Sequence, residues 1–198
     1  MPAVTRSVLV TGFGPFGPNA RNPTGEVALE LHGRRLDGVE VHGLELPVSW
    51  AHAWPTLVEA AERLRPSVLV AFGVAPRSGV AFETTARNVR GPLADVDGVA
   101  LAVAEPIEPG GPATVASTLS WARPSAGPLP AGPSDDAGEY LCNYVFYRLM
   151  RTFDFIPSRG FVHMPRLWSA DTPDGRGYGQ IRAAMTAVVQ GVVSQGAA

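Results

Sequence analysis

The sequence predicts an α/β fold: a single-domain, three-layer α/β/α sandwich on a mostly parallel, mixed central sheet. Two patterns predict it. Short apolar runs, "VLVT" at Val8–Thr11 and "SVLVAFG" at Ser67–Gly73, have the composition of strands buried on both faces. Between such runs lie segments with helical periodicity and end signals, and strands alternating with helices give a parallel sheet covered on both sides. The 198 residues carry no internal repeat and no linker, so 1–198 is expected to form one domain with a sizeable core.

The elements follow in order. After the first strand, "NPTGEVALELHGRRL" reads as a helix, with Asn22 or Thr24 as cap and Pro23 in the first turn. Val39–Val48 alternates with period two and reads as a strand. A helix is expected from about Pro55 to Arg65, stopped by Pro66, before the strand Ser67–Gly73. Gly79–Val89, rich in β-branched and aromatic residues, reads as one further strand. From about Arg90 to Pro133 the pattern weakens, and "WARPSAGPLPAGPSD" holds too many prolines for a regular helix. "GEYLCNYVFYRLMRTF" is a clear helix pattern, and Asp136-x-x-Glu139 offers a capping box ahead of it. "GFVHMP" (Gly160–Pro165) is a short strand, and "YGQIRAAMTAVVQGVV" is a closing helix.

Composition excludes several functions. Net charge is −2 with no basic stripe, which gives nucleic-acid binding no support. All sixteen cationic side chains are Arg. Without lysine there is no Schiff-base chemistry and no GK[ST] phosphate loop. No apolar run approaches the roughly 20 residues that span a bilayer, so no membrane partner is expected. The N-terminus enters a strand without a signal-peptide pattern, and a cytoplasmic location is expected. A single cysteine permits no internal disulfide and anchors no thiolate metal cluster.

Gly12-x-Gly14-x-x-Gly17 after a strand spells the dinucleotide fingerprint. Its context does not fit. The helix begins only after a further loop, Pro15 removes a backbone donor inside the motif, and Phe13 and Phe16 are bulky where a pyrophosphate needs close backbone approach. Two readings remain: a tight turn relieved by glycines, or a loop presenting two phenyl rings to a small ligand.

Three residues offer chemistry. Cys142 is either a small buried hydrophobe or a nucleophile. If Gly138 breaks the capping box, the helix starts near Cys142 and its N-terminus favours a thiolate there; a start at Asp136 weakens that effect. His163 is the one histidine at the carboxyl end of a predicted strand, where open α/β sheets place their sites. Glu83 lies in an apolar strand and needs a partner: either the imidazole, whose tautomer it would fix, or Arg77 or Arg87. A cysteine, a histidine and an acid in one chain fit a cysteine hydrolase triad.

The residues also resemble a family, pyroglutamyl-peptidase I, cysteine peptidases that remove an N-terminal pyroglutamyl residue. "VTGFGPFGPNARNPTGEVA" is similar to the family's opening, TGF-x-PFG followed by N-P-S/T. "FETTARN" resembles its glutamate segment E-x-x-A-x-N. "DAGEYLCNYVFYRLM" resembles the nucleophile segment A-G-x-x-x-C-N-x-x-x-Y, and "GFVHMP" the histidine segment G-F-x-H-x-P. The four blocks lie in order from residue 8 to 165.

The resemblance implies a single α/β/α sandwich with Cys142 as nucleophile, His163 as base and Glu83 orienting it. It implies Phe13 and Phe16 lining the ring pocket, Arg90 as the counterpart of a family arginine, and no cofactor or metal. The substrate would be a small peptide with N-terminal pyroglutamate, and the assembly a homodimer or homotetramer. Two departures stand out. A Pro-rich stretch replaces the family's helix between Leu119 and Ser134, and "MPRLWSADTPDGRGYG" lacks the usual L-P-E-Q continuation, bringing Arg166 and Trp168 near the site. A diverged hydrolase of another small cyclic or acylated amide, and a non-catalytic binding protein of this fold, are the alternatives.

Overall fold

The computed structural model describes residues 6–17, 21–119, 126–166 and 176–195. Trp168 and the start of the Pro-rich stretch, 120–125, lie outside them. In chain order the elements are β1 (Ser7–Phe13), α1 (Pro23–Leu31), β2 (Arg35–Leu36), β3 (Val39–Leu46), α2 (Ala53–Leu64), β4 (Val68–Ala75), β5 (Val80–Glu83), β6 (Thr85–Arg87), β7 (Thr114–Ala116), β8 (Ala131–Ser134), α3 (Leu141–Thr152), β9 (Ser158–Pro165) and α4 (Arg176–Gln195). Seven strands form one sheet in the order β2-β3-β1-β4-β9-β5-β8, and β6 pairs with β7 in a separate ribbon. The main sheet is parallel except at two pairs, β2 with β3 and β5 with β9.

The sheet is covered on both faces because its central strands are apolar on both. Val8, Val10, Val70, Phe72, Val162 and Met164 pack against α1 and α4. Leu9, Leu69, Ala71 and Phe161 pack against α2 and α3. His163 and Glu83 alternate onto that second face, with Phe161 and Ala81, so the α3 face is where the site forms.

Local chemistry explains most boundaries. Asn22 caps α1, its side chain accepting from Thr24 N, with Pro23 in the first turn as expected. α2 begins at Ala53, earlier than the expected Pro55, because proline is tolerated throughout a first turn whose N–H groups have no intrahelical partner. The expected strand Gly79–Val89 is broken at Thr84 into β5 and β6. Thr84 N still bonds Ser134 O at 2.6 Å, but the next residues leave the sheet, pinned to α3 by Asn143. The hairpin β2–β3 turns on Asp37-Gly38, both with positive φ (47° and 78°), the signature of a two-residue loop. β8 is an edge strand. Val80 N and Thr84 N bond the carbonyls of Pro130 and Ser134, so the alternate residue Pro133 faces the open edge, where a missing N–H costs nothing.

The glycine motif has a packing explanation. A Cβ on Gly12 would lie 2.1 Å from Thr24 C and O, so glycine lets α1 start directly against β1. Of the three glycines only Gly17 has positive φ, 59°, and shapes a turn.

Candidate active site

Cys142 is the second residue of α3. The expected capping box does not form: the helix begins at Leu141, after Gly138 in a left-handed conformation (φ 76°), and Asp136 accepts instead from Gly138 N at 3.0 Å. The first intrahelical bond is Tyr144 N to Tyr140 O at 3.0 Å. The N–H groups of Leu141, Cys142 and Asn143 therefore have no intrahelical acceptor, and the positive end of the helix dipole lies at the sulfur. Asn143, fully buried, fixes this turn by accepting from Arg87 N (2.9 Å) and donating to the carbonyls of Arg87 and Val89 (2.8 Å each).

Two strands bring the other groups to the sulfur. His163 on β9 is paired in register with Gly73 on β4 and with Ala81 on β5. Gly73 is the gap that admits the sulfur, since a Cβ there would sit 2.8 Å from Cys142 Sγ and 2.9 Å from Phe161 Cζ. Glu83, two residues along β5 from Ala81, places Oε1 2.7 Å from His163 Nδ1. That bond leaves Nε2 of His163 for other partners. Both side chains are buried.

Burial pulls the His163 pKa down. The charge of Cys142 and a hydrogen bond to it, together with the Glu83 bond and charge, outweigh burial and push the imidazole up to about 9. Arg77 Nη2 is also near Glu83 Oε1, at 3.4 Å. Of the partners weighed for Glu83, it has both the imidazole and Arg77, while Arg87 pairs with Asp136 at 3.1 Å.

Cys142 and His163 line a cavity of about 800 Å³. Phe13, Phe16, Asn22 and Val48 line its apolar side, and Tyr140 and Leu93 stand with them. Phe16 and Tyr140 lie 6.3 Å apart between ring centres. Asn22 shapes the first loop by donating to Gly14 O at 3.1 Å. Leu93 is carried by a loop that Asp95 ties down, accepting from Trp50 N (2.7 Å), Val99 N (2.8 Å) and Asp97 N (3.0 Å). Burial would raise the Asp95 pKa, but these three donors outweigh it and hold the carboxyl below its usual value. Tyr140, whose hydroxyl donates to Ala94 O at 2.9 Å, joins that loop to the start of α3. Burial, with the charges of Asp95 and Cys142, pushes its phenol up to about 12.

Five of the six residues singled out from sequence thus meet at one place: Cys142, His163, Glu83, Phe13 and Phe16. Arg90 lies outside the cavity lining. Its guanidinium is 4.6 Å from the Trp50 ring centre and its Nε is 3.8 Å from Glu105 Oε1. Trp50 in turn stands edge-on to Tyr140 at 5.3 Å. Tyr140 and Asn22 in the lining, and Gly73 beside the sulfur, are not among the residues that the sequence singles out for the site. A glycine late in a fully apolar strand was the one available signal, marking close approach by another group. Among the described residues no group of three or more His, Cys, Asp or Glu is arranged to hold a metal ion, and no helix is long and apolar enough to cross a membrane.

The chain is similar to known proteins over most of its length. The family model for pyroglutamyl peptidase matches residues 6–194. The pyrrolidone-carboxylate peptidase of Halalkalibacterium halodurans is 36% identical over 170 residues, covering 80% of this chain and 83% of that protein. The pyrrolidone-carboxylate peptidase of Pyrococcus furiosus is 35% identical over 187 residues, covering 90% and 89%. An X-ray structure of pyrrolidone carboxyl peptidase from Pyrococcus furiosus superposes with a TM-score of 0.84 at 30% identity, covering 96% of this chain and 99% of that one. The match runs through all four sequence blocks and through the sheet that carries them, so the chain belongs to the pyroglutamyl peptidase family.

Proposed function

We propose that this protein is a cysteine exopeptidase that hydrolyses the amide bond after an N-terminal pyroglutamyl residue, with Cys142 as nucleophile, His163 as acid and base, and Glu83 orienting His163. The observation that carries the reading is the His163–Glu83 bond of 2.7 Å beside Cys142, at the wall of a cavity whose apolar side is formed by Phe13, Phe16 and Tyr140.

The pyroglutamyl lactam is small, flat and uncharged, and suits aromatic walls with a few backbone hydrogen bonds. The Cys142 thiolate attacks the carbonyl carbon that joins the lactam to the next residue. The oxyanion that forms accepts from free N–H groups of the first α3 turn. His163, protonated, gives its proton to the departing amine as the C–N bond breaks, leaving a thioester on Cys142. Neutral His163 then takes a proton from water, whose oxygen attacks the thioester, and pyroglutamate leaves as the thiolate is restored. Glu83 holds Nδ1 through both steps and so keeps Nε2 toward the sulfur. Arg90 acts on the ring pocket through Trp50 and Tyr140. The expected location is cytoplasmic, and the expected partners are small peptides and further copies of this chain.

A chromogenic pyroglutamyl amide tests the reading with wild type and Cys142→Ala. Wild type is expected to turn it over, and the variant to lose on the order of 10³-fold or more. No turnover by wild type would sink the activity, and equal turnover by both would sink the triad.

A further inference from the structure

Among the described residues, Arg77 is the charged side chain that joins the buried acid to the segment leading into the nucleophile helix. Its backbone N–H bonds Ala75 O at 2.8 Å, a tight turn directly after β4 that directs the chain back over the sheet. Its guanidinium lies 3.4 Å from Glu83 Oε1, the same oxygen that meets His163 Nδ1, and also donates to the backbone carbonyl of Asp136, six residues before Cys142. Glu83 is fully buried at its side chain, and Oε2 has no hydrogen-bond partner among the described residues. Arg77 is about one-third exposed and lines the cavity, whereas Glu83 does not line it.

We propose that Arg77 is a positioning residue of the site: it fixes Glu83 and, with it, completes a chain of alternating charge, Arg77 (+), Glu83 (−), His163 (+), Cys142 (−), that stabilises the ion pair of the last two. This rests on the triad assignment of Cys142, His163 and Glu83, though not on the identity of the substrate. A buried carboxylate bonded only to an imidazolium leaves the three inner groups with a net negative charge once Cys142 is a thiolate. Arg77 makes the set neutral. Its bond to the Asp136 carbonyl also sets the loop from Ser134 to Gly138, so the acid and the segment before the nucleophile helix are both held through Arg77 Nη2.

The other charges near the site do not take this part. Asp136 is engaged by Arg87 and by Gly138 N, and Arg87 also faces Glu139 at 3.6 Å. Asp135 and Arg166 are exposed and line the cavity at its polar side. The α2 and β1 walls contribute no charge to the lining, which there is Phe13, Phe16, Asn22 and Val48. The α3 side contributes the Tyr140 phenol and Cys142 itself.

Removing a cation from a coupled set raises the pH at which each member gives up its proton. The experiment measures iodoacetamide alkylation of Cys142, the only cysteine, against pH in wild type, Arg77→Met, Arg77→Gln and Arg77→Lys, with circular dichroism to establish folding. The midpoint for thiolate formation is expected to move up by roughly half a unit to one unit in Arg77→Met and Arg77→Gln, and by less in Arg77→Lys. With a pyroglutamyl amide, the acid limb of kcat/KM should move the same way, with kcat affected more than KM. An unchanged or lowered midpoint in folded Arg77→Gln overturns the proposal. A change in KM alone, with the alkylation profile of wild type, overturns it too, because Arg77 would then touch substrate and do nothing to the triad. If Arg77→Met does not fold, Arg77→Lys decides: its charge remains, so a midpoint displaced as far as in Arg77→Gln contradicts the charge chain. Alkylation needs no substrate, so a shifted midpoint supports the proposal even where the pyroglutamyl amide is not turned over.

Discussion

At His163, burial and charge oppose each other. Desolvation alone would make the imidazole a weaker base, yet Cys142 and Glu83 push it up to about 9. The protonated form, which must supply a proton to the leaving amine, is therefore present through neutrality and is lost as pH rises through about 9. We expect kcat/KM to fall on that alkaline limb. Glu83→Gln removes the carboxylate charge and leaves only a neutral acceptor for Nδ1–H, so its limb should lie at lower pH, readable in the same pH–rate profiles. The two phenylalanines separate by burial. Phe13 is 4% exposed and belongs to the core, so Phe13→Ala should cost about 3–5 kcal/mol of stability as well as substrate affinity. Phe16 is only half-buried, and Phe16→Ala should raise KM with a smaller effect on a urea melt. Similar stability losses for both would show that Phe16 is a packing residue rather than a contact for the lactam.

Elements position these side chains by approaching one another closely. α1 reaches β1 over Gly12, and Gly12→Ala would drive a methyl into the Thr24 backbone at 2.1 Å. Backbone cannot rotate away as a side chain can, so a loss at or above the upper end of about 1–3 kcal/mol is expected in denaturant melts. The loop that carries Leu93 depends on Asp95 in another way. Its carboxyl is held below its usual pKa by three backbone donors, so the sign is that of a depressed acid. Its contribution is present above the unfolded pKa of about 4 and is lost as pH falls through the folded value. Asp95→Asn should lower stability at pH 7 by about 1–2 kcal/mol. The gap to wild type should close in melts at low pH, and a constant gap would mean that the charge is not what the donors hold.

At the scale of the whole molecule, the site spans several strands of the sheet and the α3 layer that covers one of its faces. The acid lies on β5, the imidazole on β9 and the nucleophile on α3, while β1 and its loop supply the phenyl rings. A ligand that bridges these parts should stabilise the entire fold. A pyroglutamyl aldehyde, which a thiolate captures reversibly, should add about 2.7 kcal/mol at 100 times its Kd, or roughly 5–10 °C in Tm for a chain of this size. In Cys142→Ala most of that shift should vanish, because only the ring contacts remain. A full shift in the variant would argue that the covalent step contributes nothing to binding.

The sequence by itself determined the α/β class, the four helices and the long apolar strands, and it singled out the residues of the candidate triad; β2, β7 and β8 are short strands that leave no such pattern. Those properties are local: apolar runs, caps such as Asn22-Pro23 and short motifs around Glu83, Cys142 and His163 leave their mark on adjacent positions. The Asp37-Gly38 hairpin leaves a weaker mark, because its strand β2 is only two residues long. Only the tertiary structure decided that β5 runs antiparallel to β9, that β8 closes the sheet with Pro133 at its free edge, and that α3 starts one residue before Cys142. It also set Arg90 against Trp50, and Arg77 against the acid. The choice of Arg77 over Arg87 as partner of Glu83 depends on which guanidinium can reach a buried carboxylate across the sheet, a long-range packing property that residue spacing does not encode.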